Sequence, residues 1–263
     1  MYSIVLNKPR TMPFPKDGRN HVSGIQNEVN IVDYMNNNPE NDIHKRLAAI
    51  NGSWNHAGGT KEKSDAKFQL EDGSIIGVSI KNHKTGTFDH QNTTDGIPAH
   101  IKTEIDEFKT KNRGVQVDKT PALRTEMDNI LSSGLDSLSS DQIQELLTKI
   151  HKNTLDIIVN CEEQKKLILL PKTCMDRHCD PVHKHQYFLK NSRAKSSRQI
   201  CIKNADGTET NTHLRLRLCL NNGLSALLGQ SIANSSSSPC FKIQQDKVDD
   251  FIRDCSDTVT VYY

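Results

Sequence analysis

The stretch that decides the fold is SDAKFQLEDGSIIGVSIKNHK, residues 64–84. On both sides of Glu71-Asp72-Gly73, apolar residues alternate with polar ones, as they do in half-buried strands. The pattern predicts strands at about Ala66–Leu70 and Ile75–Lys81, joined by a tight turn. The sequence therefore predicts an antiparallel hairpin at this point of the chain.

Two charged residues flank the predicted hairpin. Asp65 precedes the first strand and Lys81 ends the second, although both residue types are poor strand formers and costly to bury alone. Ser79 and Lys81 share one face of the second strand, because side chains alternate along a strand. Asp65 lies across from them at the same end. The three residues predict a compact polar site that could hold a metal ion and a phosphate.

A further acidic residue, Glu28, belongs to a predicted helix at about Gly24–Asn37. It falls on the apolar stripe formed by Ile25 and Val32, where a carboxylate needs a partner. One interpretation places it in a cleft beside Asp65, since clustered carboxylates suit Mg²⁺. The other makes it a helix-rim glutamate paired with a lysine.

The remaining periodicity predicts elements in both halves of the chain. They are an N-cap at Ser23, a short helix near Asn41–Ile50, helices within 97–112 and 139–153, a second hairpin within 154–171, a short helix within 221–229, and a strand and helical turn within 235–252. Ser139 and Gln142 form a predicted capping pair for the second of the longer helices. Residues 178–198 are expected to be irregular and basic.

The clearest alternation in the chain is THLRLRLCLNN, residues 212–222. It predicts a strand with one leucine face and one polar face. The leucine face carries Leu214, Leu216, Leu218 and Leu220, and the polar face carries His213, Arg215, Arg217 and Cys219.

Composition indicates a globular α/β protein. The 263 residues are 34% hydrophobic, 5% aromatic and 25% charged, with a net charge of +2, so wholesale disorder is not expected. We find no internal repeat and no clear linker, which favours a single domain spanning 1–263. A separable lobe after about residue 171 is the alternative.

The cysteines and the apolar segments bear on location. All seven cysteines lie in the last 103 residues, and an odd number scattered in this way predicts reduced thiols. The start MYSIVLNKPR lacks the apolar core of a signal peptide, and no segment reaches about 20 apolar residues. We therefore expect a soluble, intracellular protein with no membrane partner.

Basic residues are concentrated in one segment. Residues 171–220 contain ten Lys/Arg against four Asp/Glu, a surplus of six. Such a surface suits a phosphate backbone, and the alternative is a solvated face that binds nothing.

The helix glutamate, the aspartate and the hairpin ending in lysine together resemble the PD-(D/E)xK nuclease superfamily, which includes many type II restriction endonucleases. The resemblance lies in NEVNIVDYMN, SDAKF and VSIKNH. It implies a restriction-endonuclease-like mixed central β-sheet flanked by helices, with a catalytic core at about 20–170 and a DNA-recognition part at about 171–263. It also implies Mg²⁺-dependent hydrolysis of double-stranded DNA, with Mn²⁺ able to substitute, by a homodimer. A bacterial, phage or viral origin is compatible with it.

Each motif position carries an implied role. Asp65 would be the primary metal ligand, Lys81 the catalytic lysine, Glu28 the helix carboxylate, and the Ile80 carbonyl a further metal ligand. Two positions depart from the family pattern: Ser64 replaces proline, and Ser79 stands where a second acid is expected. The substitute acids are Glu28 first, then Asp89 and Glu104.

DNA contacts are predicted in three places, each with a plainer alternative. His83, Lys84 and Thr85 would contact phosphates beside the cleaved bond, or form an ordinary surface loop. Arg215 and Arg217 would reach guanine edges or phosphates, or form a salt-bridged outer strand. The expected backbone contacts are Lys190, Arg193, Lys195 and Arg198.

The segment CMDRHCDPVHKH, residues 174–185, suggests a zinc site. Cysteine and histidine are zinc ligands, and the candidate set is Cys174, Cys179, His183 and His185. The alternative is a basic loop lying along DNA.

The sequence as a whole predicts a type II restriction-like endonuclease. One alternative keeps the fold and changes the task to repair, recombination or movement of a mobile element. The other is a non-catalytic DNA-binding protein, zinc-stabilised or not, in which the hairpin charges form a structural salt bridge.

Overall fold

The computed structural model describes eleven stretches of the chain. They are residues 20–57, 64–83, 89–92, 98–113, 115, 120–152, 154–174, 185–192, 197–221, 236–243 and 248–263. Within them the chain forms two β-sheets flanked by helices, which confirms the predicted α+β class. None of the described helices is both long and apolar enough to cross a membrane.

The helices lie mainly in the first 152 residues. They are α1 (Asn20–Asn37), α2 (Asp42–Arg46), α3 (Ala99–Lys111), α4 (Pro121–Asp136), α5 (Ser140–Lys152) and α6 (Val248–Arg253). Helix α1 begins before Ser23, so the prediction of Ser23 as N-cap is wrong. At α5 the predicted capping pair is confirmed, with Ser139 N donating to Gln142 Oε1 and Gln142 N donating to Ser139 Oγ.

Eleven strands are described. They are β1 (Asn55–His56), β2 (Ala66–Gln69), β3 (Ile75–Asn82), β4 (Asp89–Asn92), β5 (Asp156–Cys161), β6 (Lys166–Leu170), β7 (Gln186–Asn191), β8 (Ser197–Lys203), β9 (Glu209–Asn221), β10 (Ser236–Ile243) and β11 (Val259–Tyr262). The first sheet has the order β1-β2-β3-β5-β6-β11. It is mixed, because β3 and β5 run parallel while its other pairs are antiparallel.

The predicted hairpin is the β2–β3 pair. Its turn is held by Asp72, whose Oδ1 accepts hydrogen bonds from the backbone N and the hydroxyl of Ser74 at 2.9 and 2.6 Å. Gly73 adopts a φ of 83°, which a residue with a Cβ rarely does. Local turn chemistry therefore sets the register, in which Ala66 lies opposite Val78.

The second sheet is antiparallel, with the order β4-β10-β9-β8-β7. Strand β7 and the start of β8 lie within the segment 178–198, so the prediction of irregular structure is wrong for these residues. Residues 178–184 and 193–196 lie outside the described residues. The chain passes between the two sheets more than once. β4 joins the second sheet although it follows the hairpin, and the C-terminal β11 joins the first.

Two apolar clusters cover the two faces of the first sheet. On one face, Val78, Ile80 and Ile158 pack with Met35 of α1 and Ile43 of α2. On the other face, residues of β5 and β6 join helices α3 to α5 and the leucine face of β9 in one larger cluster. The end of β3 therefore lies between a helical layer and a second core, which fixes its backbone.

Candidate active site

The Asp65 carboxylate is the centre of a polar cluster at the end of the hairpin. Its Oδ2 atom accepts three hydrogen bonds: from Ser79 Oγ at 2.8 Å, from Ile80 N at 2.7 Å and from Lys81 Nζ at 3.0 Å. The predicted meeting of Asp65, Ser79 and Lys81 is therefore present in the structure. Within the described residues, no hydrogen bond reaches the second carboxylate oxygen, Oδ1.

Strand geometry explains why the three donors converge. Asp65 lies one residue before β2, and its N–H still bonds Val78 O at 2.9 Å. Ile80 lies two residues further along β3, and its N–H extends beyond the end of β2. The Asp65 carboxylate accepts this hydrogen bond in place of a β2 carbonyl. Because the N–H and C=O of one strand residue point to the same side, the Ile80 carbonyl also lies on the Asp65 side.

A close approach between two backbones makes this geometry possible. Ser64 is buried, and a Cβ added to Gly77 would lie only 2.7 Å from Ser64 Cβ. Gly77 must therefore remain without a side chain if Ser64 and Asp65 are to keep their places. The serine that replaces the expected proline thus has a packing role against β3.

The cluster is partly shielded from solvent. The Lys81 and Asp65 side chains are 31% and 20% exposed, and Ser79 is buried. A charge-assisted hydrogen bond in such surroundings is stronger than one on an open surface. One side of the cluster stays accessible, as a site for a large substrate requires.

Glu28 does not join this cluster. Its Oε2 lies 2.8 Å from His56 Nε2, and the two side chains are 16% and 26% exposed. His56 is in register with Ala66, whose side chain packs on the α1 face of the sheet. The Asp65 carboxylate bonds the side chains of Ser79 and Lys81, which alternate with Val78 and Ile80 along β3. It therefore lies on the opposite face of the sheet. The expectation that Glu28 shares a site with Asp65 is corrected: its partner is a histidine.

The weaker substitute acids are also placed elsewhere. Asp89 lies on β4 in the second sheet, in register with Lys242 of β10. Glu104 is exposed on α3. Asp65 is therefore the acid that the described structure brings to the hairpin site.

The residues present fit a magnesium ion. Mg²⁺ prefers oxygen ligands, retains several waters, and is often held by one or two carboxylates together with substrate phosphates. Asp65 Oδ1 and the Ile80 carbonyl are oxygens of the required kind. In the described part of the chain, no three His, Cys, Asp or Glu side chains gather as a metal-ligand group.

A buried asparagine, which the sequence reasoning missed, ties three elements together beside the site. Asn160 on β5 donates from Nδ2 to Asn27 Oδ1 of α1 at 2.6 Å, and its Oδ1 accepts from the Tyr263 hydroxyl at 2.7 Å. Its carbonyl accepts from His83 N at 2.9 Å. The available signal was an asparagine within the apolar strand DIIVNC. Asn160 thus fixes the chain directly after Lys81.

His56 was likewise not predicted, although it stands nine residues before Asp65 in the sequence. Its position is fixed through Trp54, whose backbone N and O both bond the amide of Asn36 on α1. The Trp54 ring stacks on Phe68 with centroids 4.5 Å apart. Strand β1 is therefore held against both α1 and β2, and this places His56 against Glu28.

Arg198 has a structural role, which corrects the prediction that it contacts DNA. It is 4% exposed, and its guanidinium forms a two-pronged pair with Asp136 of α4, with both N–O distances 2.8 Å. Nη2 also donates to Ser132 Oγ at 2.7 Å. Because this guanidinium is buried and occupied, it docks α4 on β8 rather than facing a ligand.

The other predicted DNA contacts differ in placement. The Lys190 ammonium binds Glu209 and lies 5.6 Å above the centre of the Phe188 ring. Arg215 and Arg217 are half-buried on the face of β9 opposite its leucines. His83 follows β3 with its Nε2 atom enclosed and without a partner in the described structure. Lys84, Thr85, Arg193 and Lys195 lie outside the described residues.

The proposed zinc ligands are only partly described. Cys174 is buried in the larger apolar cluster, and the His185 ring meets Tyr187 edge-on with centroids 5.6 Å apart. Cys179 and His183 lie outside the described residues.

Comparisons of the chain with protein-family models, with curated protein sequences and with solved structures each returned no match. The chemistry of the hairpin site is therefore the basis for inferring function.

Proposed function

We propose that this protein is a Mg²⁺-dependent DNA endonuclease of the PD-(D/E)xK type, acting on double-stranded DNA as a homodimer. The observation that carries the proposal is the Asp65–Lys81 pair at the open end of the hairpin, 3.0 Å apart, with the second carboxylate oxygen of Asp65 accepting no hydrogen bond from the described residues. A carboxylate beside an ammonium is the minimum set for binding a divalent ion and a phosphate together.

Each residue has a defined task in the proposed reaction. Asp65 and the Ile80 carbonyl would hold the Mg²⁺, which when bound supplies positive charge to the phosphate and acidifies a water molecule. Lys81 would stabilise the negative charge that develops on the phosphate oxygens and orient the attacking water. Ser79 keeps the Asp65 carboxylate in one orientation through its 2.8 Å hydrogen bond.

Hydrolysis then follows a simple balance. The water oxygen forms a bond to phosphorus and releases one proton to the solvent. The phosphorus–oxygen bond opposite breaks, and the departing oxygen takes up a proton from the solvent. Within the described residues Asp65 is the acid at the site, so binding of the ion would depend strongly on the DNA phosphate. This dependence predicts weak metal affinity without DNA.

Incubation of supercoiled plasmid with the purified protein and Mg²⁺ tests the proposal. We expect nicked and linear products with Mg²⁺ or Mn²⁺ and none when EDTA is added. Asp65→Ala should abolish cleavage while DNA binding survives. Discrete bands would favour a sequence-specific enzyme, and cutting only at branched or junction substrates would favour repair, recombination or movement of a mobile element.

A second candidate function is favoured by the same three hydrogen bonds. Oδ2 of Asp65 accepts the hydrogen bond of Ile80 N at the end of β2, and Lys81 neutralises its charge. These contacts would also stabilise the end of the hairpin in a protein without catalytic activity. In that case the protein binds DNA without cutting it. Binding without products under all metal conditions, together with a large loss of stability in Asp65→Ala, would identify this function.

A further inference from the structure

The second sheet has an outer face, opposite the leucines of β9, that is rich in cations. Register places Lys190 of β7, Gln199 of β8, Arg215 of β9 and Lys242 of β10 in one row across the sheet. Neighbouring strands are about 4.8 Å apart, so the row spans about 14 Å. Of the cations in this row, Lys190 is paired with Glu209, and Lys242 is in register with Asp89 of the edge strand β4. Arg215 lies between them and is half-buried.

Three polar atoms close to this row are enclosed without a hydrogen-bond partner in the described structure. They are Arg215 Nε, His213 Nδ1 and Ser197 Oγ. Ser197 is 2% exposed and is in register with Arg217, the second arginine of this face. Buried donors without partners are rare in folded proteins and commonly mark the place of an ion, a water molecule or a ligand.

The backbone of β9 has an unusual conformation at His213, two residues before Arg215. His213 has a φ of 61°, in the left-handed region, where β-branched and bulky residues are rarely found. The register of β8 and β9 shifts beside it, between Gln199 and Cys201. Bulges of this type re-aim side chains, and unusual backbone conformations concentrate at binding sites.

Arg198, in the same sheet, is an arginine with a structural role. Its guanidinium is fully engaged by Asp136 and Ser132 on the core face. Arg215 lies on the other face, and its Nε is without such a partner among the described residues. The Arg198 guanidinium is therefore satisfied within the chain, whereas Arg215 Nε can take an acceptor from outside the described residues.

We propose that the outer face of the second sheet, defined by Gln199, Arg215 and Arg217, binds the phosphate backbone of duplex DNA. Guanidinium groups match phosphate oxygens in two-pronged hydrogen bonds. Arg215 and Arg217 are two residues apart, which separates them by about 6.8 Å along the strand and allows each to reach its own phosphate. The site rests on the proposed DNA substrate but not on catalysis at Asp65.

Fluorescence anisotropy with a labelled DNA duplex, in EDTA and over a range of salt concentrations, tests this surface. We expect Arg217→Ala and Arg215→Ala each to weaken binding about tenfold at moderate salt and to lower the salt slope by about one, the value for one lost phosphate contact. The matched control is Arg124→Ala, which removes an exposed arginine from α4, on the other side of the sheet. It should leave both quantities unchanged.

Arg217→Gln keeps the bulk of the side chain and carries the test if Arg215→Ala fails to fold. Affinities and salt slopes equal to those of the wild type in Arg217→Gln would overturn the proposal, and so would equal losses in Arg124→Ala. Measuring without divalent ions separates this result from the nuclease proposal. Loss of binding in Arg217→Gln would support the surface even if plasmid DNA were never cut, and cleavage with unchanged binding would reject the surface alone.

Discussion

The Lys81 ammonium lies 3.0 Å from Oδ2 of Asp65, sixteen residues earlier in the chain, and on the open end of the β2–β3 hairpin. The two opposite charges lie where the pairing of β2 with β3 has ended. Ser79 and the Ile80 backbone contact the same oxygen, so the orientation of the carboxylate is set by three donors. In the proposed function, this acid and this amine bind a divalent ion and a phosphate.

Gly77→Ala should displace Asp65 without touching it. The added Cβ would lie 2.7 Å from Ser64 Cβ, so the residues before β2 must shift. We expect a loss of about 1–3 kcal/mol in the free energy of unfolding and about 100-fold in the cleavage rate. Urea denaturation and plasmid cleavage measure the two effects. Gly24→Ala is the control, because no atom lies within 4 Å of its added Cβ; wild-type cleavage by Gly77→Ala would contradict the packing role.

Ser79→Asp would supply the second acid that the family pattern contains. Two adjacent carboxylates bind a divalent cation more tightly but repel each other when the cation is absent. We therefore expect tighter Mg²⁺ binding in calorimetry, with lower stability in EDTA than in Mg²⁺. The control is Ser74→Asp in the exposed hairpin turn. Unchanged metal affinity in Ser79→Asp would argue against a metal site at Asp65.

Glu28→Gln should retain cleavage within about threefold of the wild type, because glutamine can still accept a hydrogen bond from His56. The Glu28–His56 pair lies on the α1 face of the sheet, opposite the Asp65 carboxylate. Cleavage rates at saturating Mg²⁺ measure this. A loss as large as that of Asp65→Ala would mean that Glu28 turns toward the site when DNA binds.

Asp136→Asn should lower stability at neutral pH but not in acid. Hydrogen bonds from Arg198 hold the pKa of Asp136 below its usual value, so the folded state binds the proton less readily than the unfolded state. The resulting stability, about 1 kcal/mol for a half-exposed carboxylate, is present above the unfolded pKa of about 3.9 and is lost as the pH falls through the lower folded value. Urea midpoints of wild type and variant should therefore converge below about pH 4. The exposed Asp33→Asn serves as control, and a difference that persists in acid would contradict the assignment.

The hairpin and its polar cluster could be predicted from sequence because both depend on short-range rules. Alternation, a turn aspartate and a glycine with positive φ specify the pairing of Ala66 with Val78, and the pairing brings Asp65 to Lys81. No long-range information was needed for that contact.

The position of Glu28 could not be predicted in the same way. Helical periodicity predicted a buried or cleft-facing carboxylate that needs a partner, and Glu28 is indeed partly buried against His56. Ile25 of the predicted apolar stripe is, however, 39% exposed. Which side chain meets it depends on how β1 is held by Trp54 and Asn36, eighteen residues apart in sequence. A histidine preceding a glycine-rich loop carries no local signal of such a contact.

Two strands of the second sheet, β7 and β8, were missed for a related reason, although the strands at β9 and β10 were predicted. Strands β7 and β8 contain Lys190, Ser197, Arg198 and Lys203 among their apolar residues, and this composition resembles a loop when the partner strands are unknown. Arg198 shows the same limit, since a buried arginine cannot be told from an exposed one until Asp136 of α4 is found beside it.

Single-turnover cleavage of a DNA duplex by Lys81→Met, measured beside its urea midpoint, tests the central claim most directly. Methionine fills the volume of the lysine stem but removes the charge. If Lys81 acts on the phosphate, cleavage in Mg²⁺ should fall about 100-fold or more while the midpoint changes little, because a half-exposed ion pair contributes only about 1 kcal/mol. Cleavage at the wild-type rate by Lys81→Met, with or without a change in stability, would contradict the account.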